Sequence, residues 1–135
     1  MVDVLNQVFQ TGLKENPNIV MFGEDIESPK GGVFGLTGKL SKDFPEQIFN
    51  SPLAENTIAR VAIGMASVGK KPIFEFQFTD FISPGLNQII QNLCTLSWRT
   101  MGEWPCAPVF YAPYGAYLPG AVSYTHLTLP TTPYV

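Results

Sequence analysis

Val4, Leu5, Val8, Phe9 and Leu13 recur at helical spacing near the start of the chain, and Asn16-Pro17-Asn18 stops the pattern. The unbroken apolar run Ile19-Val20-Met21-Phe22 follows, with the length and character of a buried strand. A polar, glycine-bearing loop runs from Gly23 to Gly32. Leu36 to Leu40 predicts a short helix ahead of Phe44-Pro45, and Ile48-Phe49-Asn50 predicts a second, short strand. From Asn56 to Val68 the small residues Ala59, Ala62, Gly64 and Ala66 alternate with Ile58, Val61, Ile63 and Met65. A helix so apolar all round is expected to be packed on several sides, with Gly69 as its C-terminal cap. Pro72 to Phe76 predicts a third strand, Leu86 to Trp98 a helix and Val109 to Ala112 a fourth strand. Strands alternating with helices predict an α/β fold: three layers, a largely parallel sheet with helices on both faces.

Composition narrows the picture. The 135 residues suit one domain, 45% of them are hydrophobic, and only 14% are charged, so much of the surface is expected to be covered by something else. A net charge of −3 without any Lys/Arg-rich block argues against nucleic acid, whose binding rests on neutralising phosphates. Cys94 and Cys106 have neither zinc-ligand spacing nor the density of a disulfide scaffold. They are read as reduced, inert thiols, with Cys94 in an apolar helical stretch. No segment resembles a signal peptide and no apolar run approaches the ~18 residues of a membrane span, so the expected location is the cytoplasm.

The end of the chain breaks the pattern. Val122-Ser123-Tyr124-Thr125-His126-Leu127-Thr128-Leu129-Pro130-Thr131 matches one reading frame of the transposase adapter used to prepare DNA sequencing libraries. Residues 122–135 are therefore set aside as a non-native, adapter-derived tail, and 1–121 are taken as the native part of the domain. His126, the single histidine, goes with the tail.

Candidate chemistry concentrates in Ser51-Pro52-Leu53-Ala54-Glu55-Asn56, which sets a carboxylate at the mouth of the apolar helix. Phe81 follows 26 positions later, and acid and ring together suit the edge and face of a flat heterocycle. Apolar neighbours such as Leu53 and Phe81 would favour the protonated acid, whereas the helix N-terminus would favour the carboxylate. The bland reading is an acidic residue that merely favours the helix start. Glu24 and Asp25 follow a buried strand, where α/β proteins place ligand loops, and are read as positional acids or as a solvated turn. Gly31 and Gly32 form no GxGxxG fingerprint, and there is no P-loop, so a phosphate would have to be held elsewhere.

Five ordered blocks then carry a resemblance: Phe22-Gly23-Glu24-Asp25, Gly31-Gly32-Val33-Phe34, Ser51-Pro52-Leu53-Ala54-Glu55, Glu75-Phe76-Gln77-Phe78-Thr79-Asp80-Phe81 and Ala112-Pro113-Tyr114-Gly115. The chain resembles the beta subunit of thiamine diphosphate-dependent 2-oxo acid dehydrogenases of the pyruvate and branched-chain type. The block Pro113 to Gly120 is similar to bacterial forms with fused alpha and beta regions. The resemblance implies a C-terminally truncated pyrimidine-binding domain of the transketolase-like fold. Glu55 is then the catalytic acid, bonded to the aminopyrimidine ring so that its exocyclic amine can move a proton. Phe81 stacks on that ring, and Leu53 and Gln77 line the pocket; for Phe81 a plain core role, and for Gln77 a bond to neighbouring backbone, stay open.

The resemblance further implies that no metal ligand lies in this chain, the diphosphate and magnesium being held by an alpha subunit or fused alpha region. A second beta copy and a lipoyl-bearing acyltransferase core are the other implied partners, and the fragment alone is expected to be inactive. The family's His-Ser-Gln motif, expected just beyond Gly120, is missing, and its role does not pass to His126. Two alternatives stand beside this reading. One is a transketolase or deoxyxylulose phosphate synthase-like domain; the other is a non-catalytic α/β interaction module in which Glu55 is structural.

Overall fold

The structure, a computed structural model, describes residues 1–114. Helix α1 (Val2–Glu15) leads into β1 (Ile19–Gly23), and a 3-10 turn at Val33–Gly35 precedes the short α2 (Leu40–Asp43). Then come β2 (Ile48–Asn50), α3 (Glu55–Ser67), β3 (Lys71–Glu75), a 3-10 segment (Thr79–Gly85), a π-helical segment (Gln88–Leu93) that runs into α4 (Cys94–Arg99), and β4 (Val109–Tyr111). The four strands form one parallel sheet in the order β2-β1-β3-β4.

Side chains alternate across these strands, so each strand feeds two cores. Met21 and Ile48 face α1 and α2, where they pack with Leu13, Ile26 and Leu40. Phe74 and Phe76 face the other way, against Ile58, Ala59 and Ala62 of α3. This division makes the apolar runs of β1 and β3 necessary, because both of their faces are covered. The expected three-layer parallel fold is what the chain adopts.

The predicted elements need four adjustments. The short helix forms at Leu40–Asp43 rather than across Leu36–Leu40, because Thr37 is drawn inward: its hydroxyl donates to the Ile26 carbonyl at 2.8 Å and its amide to that of Gly31. The predicted helix from Leu86 to Trp98 is divided. Its π-helical stretch inserts one extra residue per turn and rotates the apolar stripe, so that Gln88 is buried while Ile90 is half exposed. Cys94 is exposed instead of sitting in an apolar core. Finally, α3 buries one face only, through Ile58, Ala59, Ala62 and Ala66, and Gly64 faces open space.

Gly69 does end α3 as expected. It takes φ +86, its amide donates to the Ala66 carbonyl, and the Lys70 amide donates to that of Met65, the double bond of a Schellman motif. Among the described residues, no helix is long and apolar enough to cross a membrane. The adapter-like stretch, 122–135, and His126 lie outside the described residues, as does the block from Gly115 to Gly120.

Candidate functional site

Because all four strands run the same way, the segments that leave their C-terminal ends gather on one edge of the sheet. Glu24 follows β1, Ser51 to Glu55 follow β2, Gln77 to Phe81 follow β3, and Pro113 follows β4. Ligands of open α/β sheets bind along this edge. Backbone bonds tie the loops together: the Ser51 amide donates to the Gly23 carbonyl at 2.8 Å and the Thr79 amide to that of Pro113 at 3.2 Å.

Glu55 is the first residue of α3. The helix N-terminus presents unpaired amides and a partial positive charge there, a setting suited to an acid. Glu55 is half-buried, and its side chain forms no hydrogen bond with the described residues. Two residues earlier, Leu53 is 81% exposed. The Thr79–Gly85 segment packs on α3 so closely that a Cβ on Gly85 would lie 3.1 Å from the Glu55 carbonyl. Phe81 sits in that segment, its ring half exposed and edge-on to Phe78 at 6.1 Å between centroids. Gln77 is half-buried between β3 and this segment.

The four expected site residues thus stand on one edge and on packed elements, with two apolar side chains left open beside a carboxylate. The described residues do not wall them in. A cavity of about 360 Å³ lies instead between the start of α1 and the Val33–Leu36 turn, over Glu75 and Tyr111, and none of the four lines it.

For Glu24 the solvated-turn alternative does not hold. The residue is only 5% exposed, and among the described residues its Oε1 has no hydrogen-bond partner, as is true of the neighbouring buried Ser51 hydroxyl. Burial pushes its carboxyl above the ordinary range, the charges of Glu55 and Asp25 push it further, and the Ala54 amide pulls it back. Asp25 does stay at the surface, paired with Lys30 at 2.6 Å. Orphaned buried polar atoms beside Glu55 are the kind of group a bound molecule satisfies.

A second acid was missed as a functional element. Glu75 stands between Phe74 and Phe76 and is buried on the α1 side of the sheet. Its Oε1 accepts from the Val33 amide at 2.8 Å and its Oε2 from the Tyr111 hydroxyl at 2.5 Å. Burial raises its pKa, opposed by those two donors. Tyr111 is raised well above its ordinary value by burial and by the Glu75 charge. The available signal was a lone carboxylate inside an apolar strand, which must find partners when buried. Among the described residues no cluster of acids, cysteines or histidines is arranged to hold a metal ion.

Comparison with known proteins agrees with the fold. The family described as transketolase, pyrimidine binding domain, matches residues 1–122. The beta subunit of 2-oxoisovalerate dehydrogenase from Bacillus subtilis is 35% identical over 98% of the chain and 45% of its own length. Beta subunits of the pyruvate dehydrogenase E1 component from Acholeplasma laidlawii and Leifsonia xyli are 35% and 36% identical, over 85% and 92% of the chain. The chain spans 35% and 36% of those two proteins, so it is less than half the length of the relatives it matches. With a match that spans all of the described residues and a parallel sheet between helices, the chain belongs to the transketolase pyrimidine-binding domain family.

Proposed function

We propose that this chain is the pyrimidine-binding part of a cytoplasmic, thiamine diphosphate-dependent 2-oxo acid dehydrogenase. The intact enzyme decarboxylates a 2-oxo acid and passes the acyl group to a lipoyl arm. The observation that carries the reading is Glu55: an acid at the N-terminus of α3 with no side-chain hydrogen bond among the described residues, on the same ligand edge of a parallel sheet as the exposed Leu53 and half-exposed Phe81. The relatives' names favour a dehydrogenase over a transketolase or deoxyxylulose phosphate synthase.

When bound, thiamine diphosphate supplies the carbon nucleophile and the electron sink for the decarboxylation. Glu55 holds and exchanges a proton at the aminopyrimidine ring nitrogen, a role that needs an acid rather than an amide. Phe81 would offer a face for the ring, and Leu53 and Gln77 would line its pocket. Diphosphate and magnesium fall to an alpha subunit or fused alpha region. A second beta copy and a lipoyl-bearing acyltransferase core complete the assembly, and this fragment alone is inactive.

We read residues 1–121 as the native domain and 122–135 as the adapter-derived tail. The family match stops at residue 122, whereas the alignment to the Bacillus relative runs further, so sequencing the source gene across this junction decides the point. The function itself is tested by titrating thiamine diphosphate with magnesium into the full-length protein joined by its alpha partner. Saturable binding that is lost when either partner is withheld is the expected result. No binding to the complex leaves only an interaction module.

A further inference from the structure

The cavity over Glu75 lies at the carboxyl-terminal edge of the sheet, on the face opposite α3. Its volume, about 360 Å³, is at the small end of ligand pockets. The walls are mostly apolar: Leu5 of α1, Val33 and Leu36 of the turn, and the aromatic residues Phe34, Tyr111 and Tyr114. The turn is held in shape. The Asn6 side-chain amide donates to the Leu36 and Gly38 carbonyls at 2.8 and 3.3 Å, and Phe34 takes φ +57, a left-handed conformation that a bulky residue adopts only at a cost. Phe34 is nevertheless 59% exposed, so packing among the described residues does not explain the strain.

A single carboxyl group dominates the polar floor. Of its roughly four lone-pair positions, the Val33 amide and the Tyr111 hydroxyl fill two. Among the described residues no Lys, Arg or chain amine lies within ion-pair distance of Glu75, and residues 115–135 contain neither Lys nor Arg. A carboxylate at the base of an apolar pocket without a counter-charge is costly by itself and well placed to receive a cation. A metal ion is a poor match, since hard cations take about six oxygens and this floor offers one carboxyl and one phenol. We propose that the cavity is a binding site for a small organic ammonium ion. Its amine head donates to the unfilled lone pairs of Glu75, and its apolar body lodges among Leu5, Val33 and Leu36. The aromatic residues of the wall add attraction for the charge. The site is separate from Glu55 and rests on nothing in the proposed reaction.

Calorimetric titration of phenethylammonium chloride into the full 135-residue chain, in weakly alkaline buffer, is expected to show saturable binding at one site. Phenethyl alcohol, with the same apolar body and no charge, should bind at least about tenfold more weakly. Glu75→Gln keeps an acceptor for the Val33 amide but removes the charge, and should weaken the amine by at least about tenfold. Phe34→Ala removes part of the wall at an exposed position and should weaken it by about threefold. Glu55→Gln, on the other face of the sheet, should leave the affinity unchanged. No saturable binding, equal binding of the alcohol, or affinity that follows Glu55 rather than Glu75 each overturns the proposal. Should Glu75→Gln not fold, Phe34→Ala carries the decision, and an unchanged affinity in that variant overturns the proposal as well.

Discussion

The Tyr111 hydroxyl donates to Glu75 Oε2 at 2.5 Å, between residues that the parallel register of β3 and β4 sets directly side by side. Glu75 in turn accepts from the Val33 amide, so one buried carboxyl ties β4 to the glycine loop that precedes α2. A buried acid is tolerated here because both of its oxygens have donors. Tyr111→Phe deletes one of them and should cost about 1.5–3 kcal/mol in urea denaturation, more than Glu75→Gln, whose amide can still accept from Val33 and bond the phenol. Equal and negligible losses would remove this pair from the list of structural anchors.

The glycine loop is fitted to that carboxyl. Gly32 takes φ +72, and a Cβ there would come within 2.6 Å of Glu75 Oε2. Gly32→Ala therefore combines backbone strain with a clash against a fixed group and should destabilise the chain by more than about 1 kcal/mol. Gly35, also at positive φ but facing open space, should lose less on the same change. Thermal melts of the two variants measure the difference.

Both buried acids should make stability depend on pH. Glu24 and Glu75 have carboxyl pKa values raised above the ordinary 4.5, so the folded state binds their protons more tightly than the unfolded chain does. Their contribution is fully present below about 4.5 and is lost as pH rises through the raised values. Combining Glu24→Gln with Glu75→Gln should flatten stability over that window, as read by denaturation midpoints at a series of pH values. An unchanged slope would mean that other groups set it.

For the proposed reaction, Glu55→Gln in the full-length enzyme with its alpha partner should leave cofactor affinity close to normal. Turnover should fall by about 10²–10⁴-fold, the usual loss for a positioned proton-transfer group. Near-normal turnover sinks the role given to Glu55.

Phe81→Ala should act on the other term. Removing an aromatic face weakens cofactor binding by roughly 1–3 kcal/mol, with a smaller effect on turnover at saturating cofactor. An unaltered titration would return Phe81 to ordinary packing against Phe78, to which its ring is already close.

Much of this protein was legible along the chain. Each of the four strands lies within a residue of its predicted bounds, the parallel arrangement follows from apolar runs alternating with helices, and Gly69 caps α3, because all three are written in local pattern. Glu55, Leu53, Gln77 and Phe81 were named from motif blocks, and their common edge follows from strand direction. Tertiary structure decided the rest. Periodicity carries no sign of the π-helical turn that buries Gln88 and leaves Cys94 exposed, since a single extra residue rephases everything after it. The sequence left Glu24 open between a positional acid and a solvated turn, and Glu75 was one letter of a motif. Burial and partners depend on segments far apart in sequence meeting in one register, 36 positions for Glu75 and Tyr111, and only the folded sheet sets that register.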